Sequence, residues 1–434
     1  MEYDYAYALG VQALIYGWAP VMMDVALVQQ TSVDAPMTNG QAPMNMFGPI
    51  TRLWDYRDRS YTTPNNDTYY IQGWADVEEQ PIAIFIPAIK NRYWIEQILD
   101  MYTESVVDLC NATVGDQGGY FIIAKRGYGG ELPEDIPVFY SRTRYIWLAG
   151  RIGSQSASDK ELVNDLQLQW RIMPLSEFPD GGEQPLPTDT EEAPTVQFPQ
   201  GLDWFDRLDK VLAANPLAED ANILQPLAYI GIGEGGTTQL YGTKKEALVK
   251  AFKDGFDIIV DAAKYSATPY NGWNYEYTAG RYEADYLQRS AINMNSIGLN
   301  SPERAMYPKR YVDADGAVLH GANAYEITLP ADMSVNYDLG GFWSITMYDA
   351  VDRFMVENEI DRYKVASMTE GLVYNEDGSL TIYISYAKPT DQKQLANWLP
   401  APNDDFMLQC RLYEPKQAVV NGEFKLPDLF KIDQ

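Results

Sequence analysis

The segment Arg92–Tyr102 sets one cation, two carboxylates and two aromatic rings along one side of a strand-like run. With a period of two, Arg92, Trp94, Glu96, Ile98, Asp100 and Tyr102 share a face, and Tyr93, Ile95, Gln97, Leu99 and Met101 take the other. That mixture suits a lined groove in which a carboxylate moves protons, Arg92 holds an anionic group and Tyr102 donates a hydrogen bond. A solvated face tied by an Arg92–Glu96 or cross-strand ion pair has the same pattern. Glu96 and Asp100 would stand roughly 13 Å apart along a strand. Paired glycosidase carboxylates need about 5–10 Å, so these two are not partners of each other. Asp67, from a neighbouring strand, is the second carboxylate in that reading.

Asp67 belongs to the string Thr63-Pro64-Asn65-Asn66-Asp67-Thr68-Tyr69. Asn65 and Asn66 place amide donors and acceptors beside the carboxylate and are candidate ligand contacts. The same string is good turn chemistry, with Asx side chains bonding nearby backbone N–H groups. In Phe342–Asp349, Phe342, Ser344, Thr346 and Tyr348 alternate with Trp343, Ile345 and Met347. Phe342 and Tyr348 would line the wall of a small-molecule site; a plain cross-strand ladder reads alike. In Asn397-Trp398-Leu399-Pro400-Ala401-Pro402 the prolines stiffen a loop that presents Asn397 and Trp398. A fixed Trp398 stacks on a sugar or a cation, or it plugs the end of a β domain.

Conventional catalytic equipment is scarce. His320 is the one histidine in 434 residues, so the chain has almost none of the usual equipment for a Ser-His-Asp triad, a His-ligated zinc or copper site or a Cys-His pair. His320 follows the Asp315-Gly316 turn and reads as an exposed or satisfied side chain. No metal ligands are assigned and no cofactor is predicted. A Ca²⁺ or Mg²⁺ ion held by oxygen is the metal chemistry this composition leaves open. Asp313-Ala314-Asp315-Gly316 resembles the start of a calcium loop but lacks the later acidic ligands. Gly231–Gly236 matches GxGxxG without a βαβ unit around it, and reads as a helix-terminating loop.

Thirty-three Lys plus Arg against 61 Asp plus Glu leave a net charge of −28. That balance argues against nucleic acid and anionic membranes as partners, and leaves a small molecule or glycan, with homo-oligomerisation open. Ala13–Val28, the most apolar stretch, is broken by Pro20 and Asp24 and is short for a membrane span. No basic leader region is visible. The expectation is a soluble protein, cytoplasmic as it stands, or periplasmic or secreted if a leader was removed. Cys410 alternates among apolar neighbours and reads as a buried thiol; the state of Cys110 stays open.

The positioning elements follow from periodicity. Residues 2–30 read as a helix kinked or divided at Pro20. From about 45 to 155 the period is two, with strands at Pro81–Ile89, Arg92–Tyr102, Tyr120–Lys125 and Tyr145–Ile152. Residues 178–200 are Pro-rich and acidic. Helical spacing returns over 201–265, with a capping box at Thr243 and Glu246. Residues 305–434 are β again, with hairpin signals at Asp315-Gly316, Asp377-Gly378 and Asn421-Gly422. The chain thus reads as mainly β, with two antiparallel β-sandwich or jelly-roll domains. The predicted parts are a helical segment (1–40), a β domain (41–177), a linker (178–200), a helical insert (201–304) and a C-terminal β domain (305–434).

Several strings are familiar together. Thr63–Tyr69, Pro87, Arg92-Tyr93 and Asp100-Met101-Tyr102 resemble the domain of unknown function 1254. Gly341–Asp349, Asp377–Leu380, Asn397–Pro402 and Arg411-Leu412-Tyr413-Glu414-Pro415 resemble its partner, the domain of unknown function 1214. The resemblance implies an all-β pair with some likeness to the double jelly roll of peptide:N-glycanases, and carries over no catalytic residue. The functional expectation is a hydrolase- or lyase-like enzyme on a small polar or carbohydrate-like ligand, with Asp67, Glu96 or Asp100 as acid or base. The alternative is a non-catalytic carbohydrate-binding or assembly-forming jelly-roll protein.

Overall fold

The computed structural model describes residues 1–59, 62–189 and 196–433. Residues 190–195, inside the Pro-rich segment read as a linker, lie outside the described residues. The architecture is mixed α/β: helix takes 29% of the chain and strand 26% in four mostly antiparallel sheets. This corrects the expectation of a mainly β protein. The period-two signal marks where strands lie, but the helices, led by one of 30 residues and another of 24, together carry as much chain as the sheets.

In the N-terminal half, one sheet orders its strands as Phe47–Pro49, Thr68–Asp76, Tyr145–Gly153, Trp94–Asp100 and Ser105–Cys110. A second sheet orders Val138–Ser141, Gly119–Lys125, Ile82–Ile86 and Arg171–Pro174. The two share one core, in which Ile71, Trp94, Ile98 and Leu148 meet Ile82, Ile84, Phe121 and Ile172. In the C-terminal half, a larger sheet runs through Trp273–Tyr275, Lys309–Arg310, Phe406–Tyr413, Trp343–Asp349 and Lys364–Ala366. A four-stranded sheet of Trp398–Pro400, Leu380–Ser385, Ala324–Leu329 and Phe430–Ile432 covers its apolar face.

Helices close the remaining side. α1 (Glu2–Thr31) packs beside α2 (Leu202–Ala214), α3 (Gly242–Tyr265) and α4 (Tyr286–Asn295). Glycines set the closeness of these crossings. A Cβ on Gly10 would lie 2.6 Å from the Ala251 Cβ, and one on Gly255 would lie 2.7 Å from a Leu14 methyl. α1 is long and apolar enough to cross a membrane by length and composition, yet 56% of its most apolar window is buried inside the fold. It runs as one helix through Pro20, because packing on several sides outweighs the about 3 kcal/mol that an interior proline costs. The helical layer lies on the outer face of the first sheet, against Trp74, Leu99 and Trp147.

Local expectations fare unevenly. Cys110 and Cys410 are both free and buried. Gly231 ends a 3-10 helix with φ +91°, as a terminating glycine should. α3 begins after Tyr241 with no side-chain cap, and the Thr243 hydroxyl donates instead to Glu2 Oε2 at 3.0 Å. Asn421-Gly422 is not a hairpin. It follows the short helix Gln417–Val420, and Gly422 at φ +70° stops it.

The strand Trp94–Asp100 corrects the groove expectation. It lies between two other strands, and its Trp94, Glu96 and Ile98 side is packed against the second sheet. Glu96 is fully buried, and neither carboxylate oxygen has a hydrogen-bond partner. Burial pushes its carboxyl well above the ordinary range. A raised folded value leaves stability full in acid and lowers it as pH rises above the ordinary carboxylate range, because folding must then take up a proton. Glu96→Met should therefore stabilise the protein at pH 7. The gain should fade towards pH 4, as read by urea unfolding at both pH values.

Candidate functional site

The larger C-terminal sheet has two unlike faces. Asn274, Lys309, Gln409, Thr346 and Lys364 are successive cross-strand neighbours and so form one polar row. Ser344, Tyr348, Arg411 and Tyr413 join that face at a period of two. Trp343, Ile345, Met347, Leu408 and Cys410 point the other way, into the core. The polar face turns towards the N-terminal half, and the Thr63–Asp67 string is wedged against it.

Asp67 is the centre of that wedge and is fully buried. Lys364 Nζ lies 2.8 Å from its Oδ1. Ser344 Oγ (2.6 Å) and Tyr413 OH (3.0 Å) donate to its Oδ2. Its backbone N–H donates to Asn65 Oδ1 at 2.6 Å, and Asn65 Nδ2 donates to Tyr413 OH at 2.9 Å. Burial alone would raise the Asp67 carboxyl. The charges of Lys364 and Arg411, with the contacts from Lys364 and Ser344, outweigh it and hold the group below the ordinary value. Alongside, Arg411 donates to Tyr348 OH (2.7 Å), Thr346 Oγ1 (2.9 Å) and the Thr63 carbonyl (3.1 Å). Thr63 has φ +51° and Arg353 φ +62°, and the Thr63 N–H donates to the Arg353 carbonyl at 2.8 Å. A β-branched residue in the left-handed region is strained by about 1–3 kcal/mol and is kept only where its surroundings impose it.

Two adjoining cavities open beside this wedge. One, of about 290 Å³, lies between Tyr70, Trp147 and Arg151 of the N-terminal sheet and Gln409 and Arg411 of the C-terminal sheet. The other, of about 590 Å³, is lined by Glu276, Lys309, Tyr311 and Arg353. Asn295, Leu299 and Tyr307 line both. Among the described residues, Arg151, Lys309, Arg353 and Arg411 have no ion-pair partner, and Glu276 is the one carboxylate in either wall. Arg151 donates to the Gly298 carbonyl (2.8 Å) and Tyr307 OH (3.2 Å), and its Nε is buried without a partner. Gln409 Oε1, Asn293 Oδ1 and Trp147 Nε1 are likewise buried and unpartnered. Burial, with the charges of Arg353 and Arg411, pushes the Lys309 amine down to about 7, against the pull of Glu276. Burial pushes the Glu276 carboxyl up.

Of the residues singled out from sequence, five meet at this junction. Asn65 lines the smaller cavity, and Asp67 and Tyr348 anchor the wedge. The Asn66 amide donates to the Trp54 carbonyl. Phe342 stacks on Tyr413 at 4.1 Å. The others are placed elsewhere. Arg92 is held in a buried bidentate pair with Asp159 (2.6 and 3.0 Å). Trp94 and Glu96 are in the sheet–sheet core. Asp100 accepts from the Tyr102 N–H (2.8 Å) and from Arg142 Nε (2.8 Å), pinning a turn. Tyr102 OH donates to the Asn215 carbonyl (3.1 Å) beneath the helices. The Asn397 amide donates to the Val373 and Thr381 carbonyls (2.8 and 2.9 Å). Trp398 is a buried plug whose Nε1 donates to the Ser385 carbonyl at 3.0 Å. His320 Nδ1 accepts from the Ala322 N–H at 2.9 Å. Its imidazole lies with exposed Asp404 and Asp405, their ligand atoms within 4.8 Å of one another.

The two halves that meet at Asp67 coincide with two family models. Residues 44–174 match Protein of unknown function (DUF1254), and residues 304–417 match Protein of unknown function (DUF1214). The chain is a DUF1254–DUF1214 protein. It is similar to the VPA0106 protein from Vibrio parahaemolyticus, with 24% identity and a TM-score of 0.70 over 99% of this chain and 100% of that one. That likeness establishes the fold. An uncharacterized protein from Burkholderia cenocepacia aligns with 12% identity and a TM-score of 0.45, over 99% and 95% of the two chains. No curated protein matches the sequence. The wedge therefore joins a DUF1254 string to the polar face of the DUF1214 sheet.

Sequence reading missed Arg151, Glu276, Lys309, Arg353 and Tyr307. Arg151 alternates with Ala149 and Trp147 along one strand, a signal that was there to be read. Lys309 and Glu276 lie in strands of two and three residues or just beyond them, too short for any periodicity.

Asp67→Ala should cost about 3–5 kcal/mol at pH 7, since it strands Lys364 in a buried site. The folded Asp67 value is lowered, so its stabilisation is present above the ordinary value of 3.8 and is lost as pH falls through the folded one. The difference between wild type and Asp67→Asn in urea unfolding should shrink accordingly below about pH 4.

Proposed function

We propose that the joined cavities between the DUF1254 and DUF1214 domains bind a small polar anion, and that the protein acts on it as a hydrolase- or lyase-like enzyme. The observation that carries this reading is the set of four cations without ion-pair partners around the cavities, in a chain whose net charge is −28. Asp67 already answers Arg411 in part, and Glu276 answers Lys309; for Arg151 and Arg353, which make no ion pair, a bound anion supplies a counter-charge. Cavity sizes of about 290 and 590 Å³ suit a metabolite rather than a polymer. Trp54, stacked on Tyr70 at 5.0 Å, offers an aromatic wall for a sugar-like ring. Gln409, Asn293 and Trp147 offer unpartnered polar atoms to its hydroxyl groups. An acidic sugar fits all three features.

The chemistry falls to different groups from those first expected. Asp67, Asp100 and Arg92 are committed to structural bonds. Lys309, Glu276 and Tyr307 face the cavity and carry perturbed proton affinities, the usual mark of groups that move protons.

The test is a thermal-shift series with glucuronate, citrate, phosphate and neutral glucose. An anion should stabilise the protein by an amount that grows with the logarithm of its concentration above Kd, reaching about 2.7 kcal/mol at a hundredfold excess over Kd. Arg151→Met should abolish the shift and keep the fold. Equal stabilisation by glucose, undiminished in Arg151→Met, would overturn the anion site.

A further inference from the structure

We propose that Lys309 is a nucleophilic amine that captures the carbonyl carbon of an anionic oxo compound as an imine inside the larger cavity. This rests on the anion-binding reading above and names the chemical class of its substrate. The contrast with the adjacent residue is instructive. Arg310 points to the opposite side of the same two-residue strand, is fully buried, and is tied to Asp428, the Asn271 carbonyl and the Val312 carbonyl. Lys309 has no such ties. Cross-strand neighbours Asn274 and Gln409 hold its backbone, and its side chain lines a cavity of about 590 Å³.

Burial first, and then the surrounding charges, decide the state of that amine. Arg353 and Arg411 repel its charged form, and Glu276 opposes them. Lys264, Tyr307 and Tyr311 complete the titratable surroundings, with Lys264 paired to Asp261 at 3.0 Å. An amine with a value of about 7 is half unprotonated at neutral pH. An ordinary lysine near 10.4 is unprotonated to only about one part in a few thousand.

The step balances without a further reagent. The nitrogen lone pair forms an N–C bond while the carbonyl π pair moves to oxygen, which takes a proton from the nitrogen. Glu276, whose carboxyl burial pushes up, relays a proton from water to that hydroxyl group. The hydroxyl group leaves as water, and the nitrogen's remaining proton returns through the carboxylate to water. Amine plus carbonyl gives imine plus water. Arg353, in the wall of the same cavity, holds the anionic end of the substrate.

The full-length protein should be treated at pH 7 with pyruvate and sodium cyanoborohydride and mapped by peptide mass. One reductive adduct per chain is expected on Lys309, forming at least about tenfold faster than on exposed lysines such as Lys253. It should be absent from Lys309→Met, and its rate should rise with pH and level off above about 7. If Lys309→Met fails to fold, competitive trace acetylation of the unmodified protein reads the same amine; titration near 10.4 would overturn the proposal. So would adducts spread evenly over surface lysines. Stabilisation by citrate with no adduct on Lys309 would sink the imine and leave the anion site standing. Equally fast labelling by neutral acetaldehyde, unchanged in Arg353→Met, would keep the amine and sink the anion site.

Discussion

The buried pair of Asp67 and Lys364 is the interaction on which the rest of the structure depends. Asp67 comes from the DUF1254 domain; Lys364, Ser344 and Tyr413 come from the DUF1214 domain. Removing either charge would leave the other desolvated, so the two halves are held at one separation and one register. That constraint explains the strained Thr63 backbone, which is bonded on both sides to Arg353 and Arg411. It also explains why a cavity survives beside the wedge: two polar sheet faces that meet through a few directed bonds cannot collapse as two apolar faces do.

The distribution of cations tells the same story from the other side. In an acidic chain, several buried or half-buried arginines have found a carboxylate: Arg92 with Asp159, Arg142 with Asp100, Arg304 with Glu414. These pairs are structural, and each removes a residue from the list of catalytic candidates. Of the cations without such partners, Arg151, Lys309, Arg353 and Arg411 line the cavities at the junction, whereas Arg289 and Arg362 are held by backbone carbonyls elsewhere. Among the described residues, the cavity walls thus carry four cations without ion-pair partners and one carboxylate, in a chain that is negative as a whole.

Much of the fold was legible along the chain, for reasons that particular residues make plain. α1, the Ile82–Ile86 strand and the alternation through Phe342–Asp349 are local patterns, fixed by helical and pleated geometry. The family strings marked both β-rich halves. Sequence also put Asn65, Asn66, Asp67, Phe342 and Tyr348 on one short list, and the structure brings these five to a single junction. The groove on the Arg92–Tyr102 strand failed because pleat geometry says which side chains share a face and not what covers it. Trp94 and Glu96 share a face with Asp100, but a second sheet lies over it. Lys309 and Glu276 were invisible because their strands are too short to have a period, and their surroundings come from elsewhere in the chain.

By itself the sequence determined the charge balance, the lack of imidazole chemistry, the places of the long elements and the two-faced character of the Phe342–Asp349 strand. Tertiary structure alone decided which face meets water, core or ligand. Asp67 and Ser344 are 277 residues apart, and Asn65 and Tyr413 are 348 apart. Alternation is a property of neighbouring peptides. Burial, ion pairing and the proton affinity of an amine such as Lys309 are set by segments that meet only when the chain has folded.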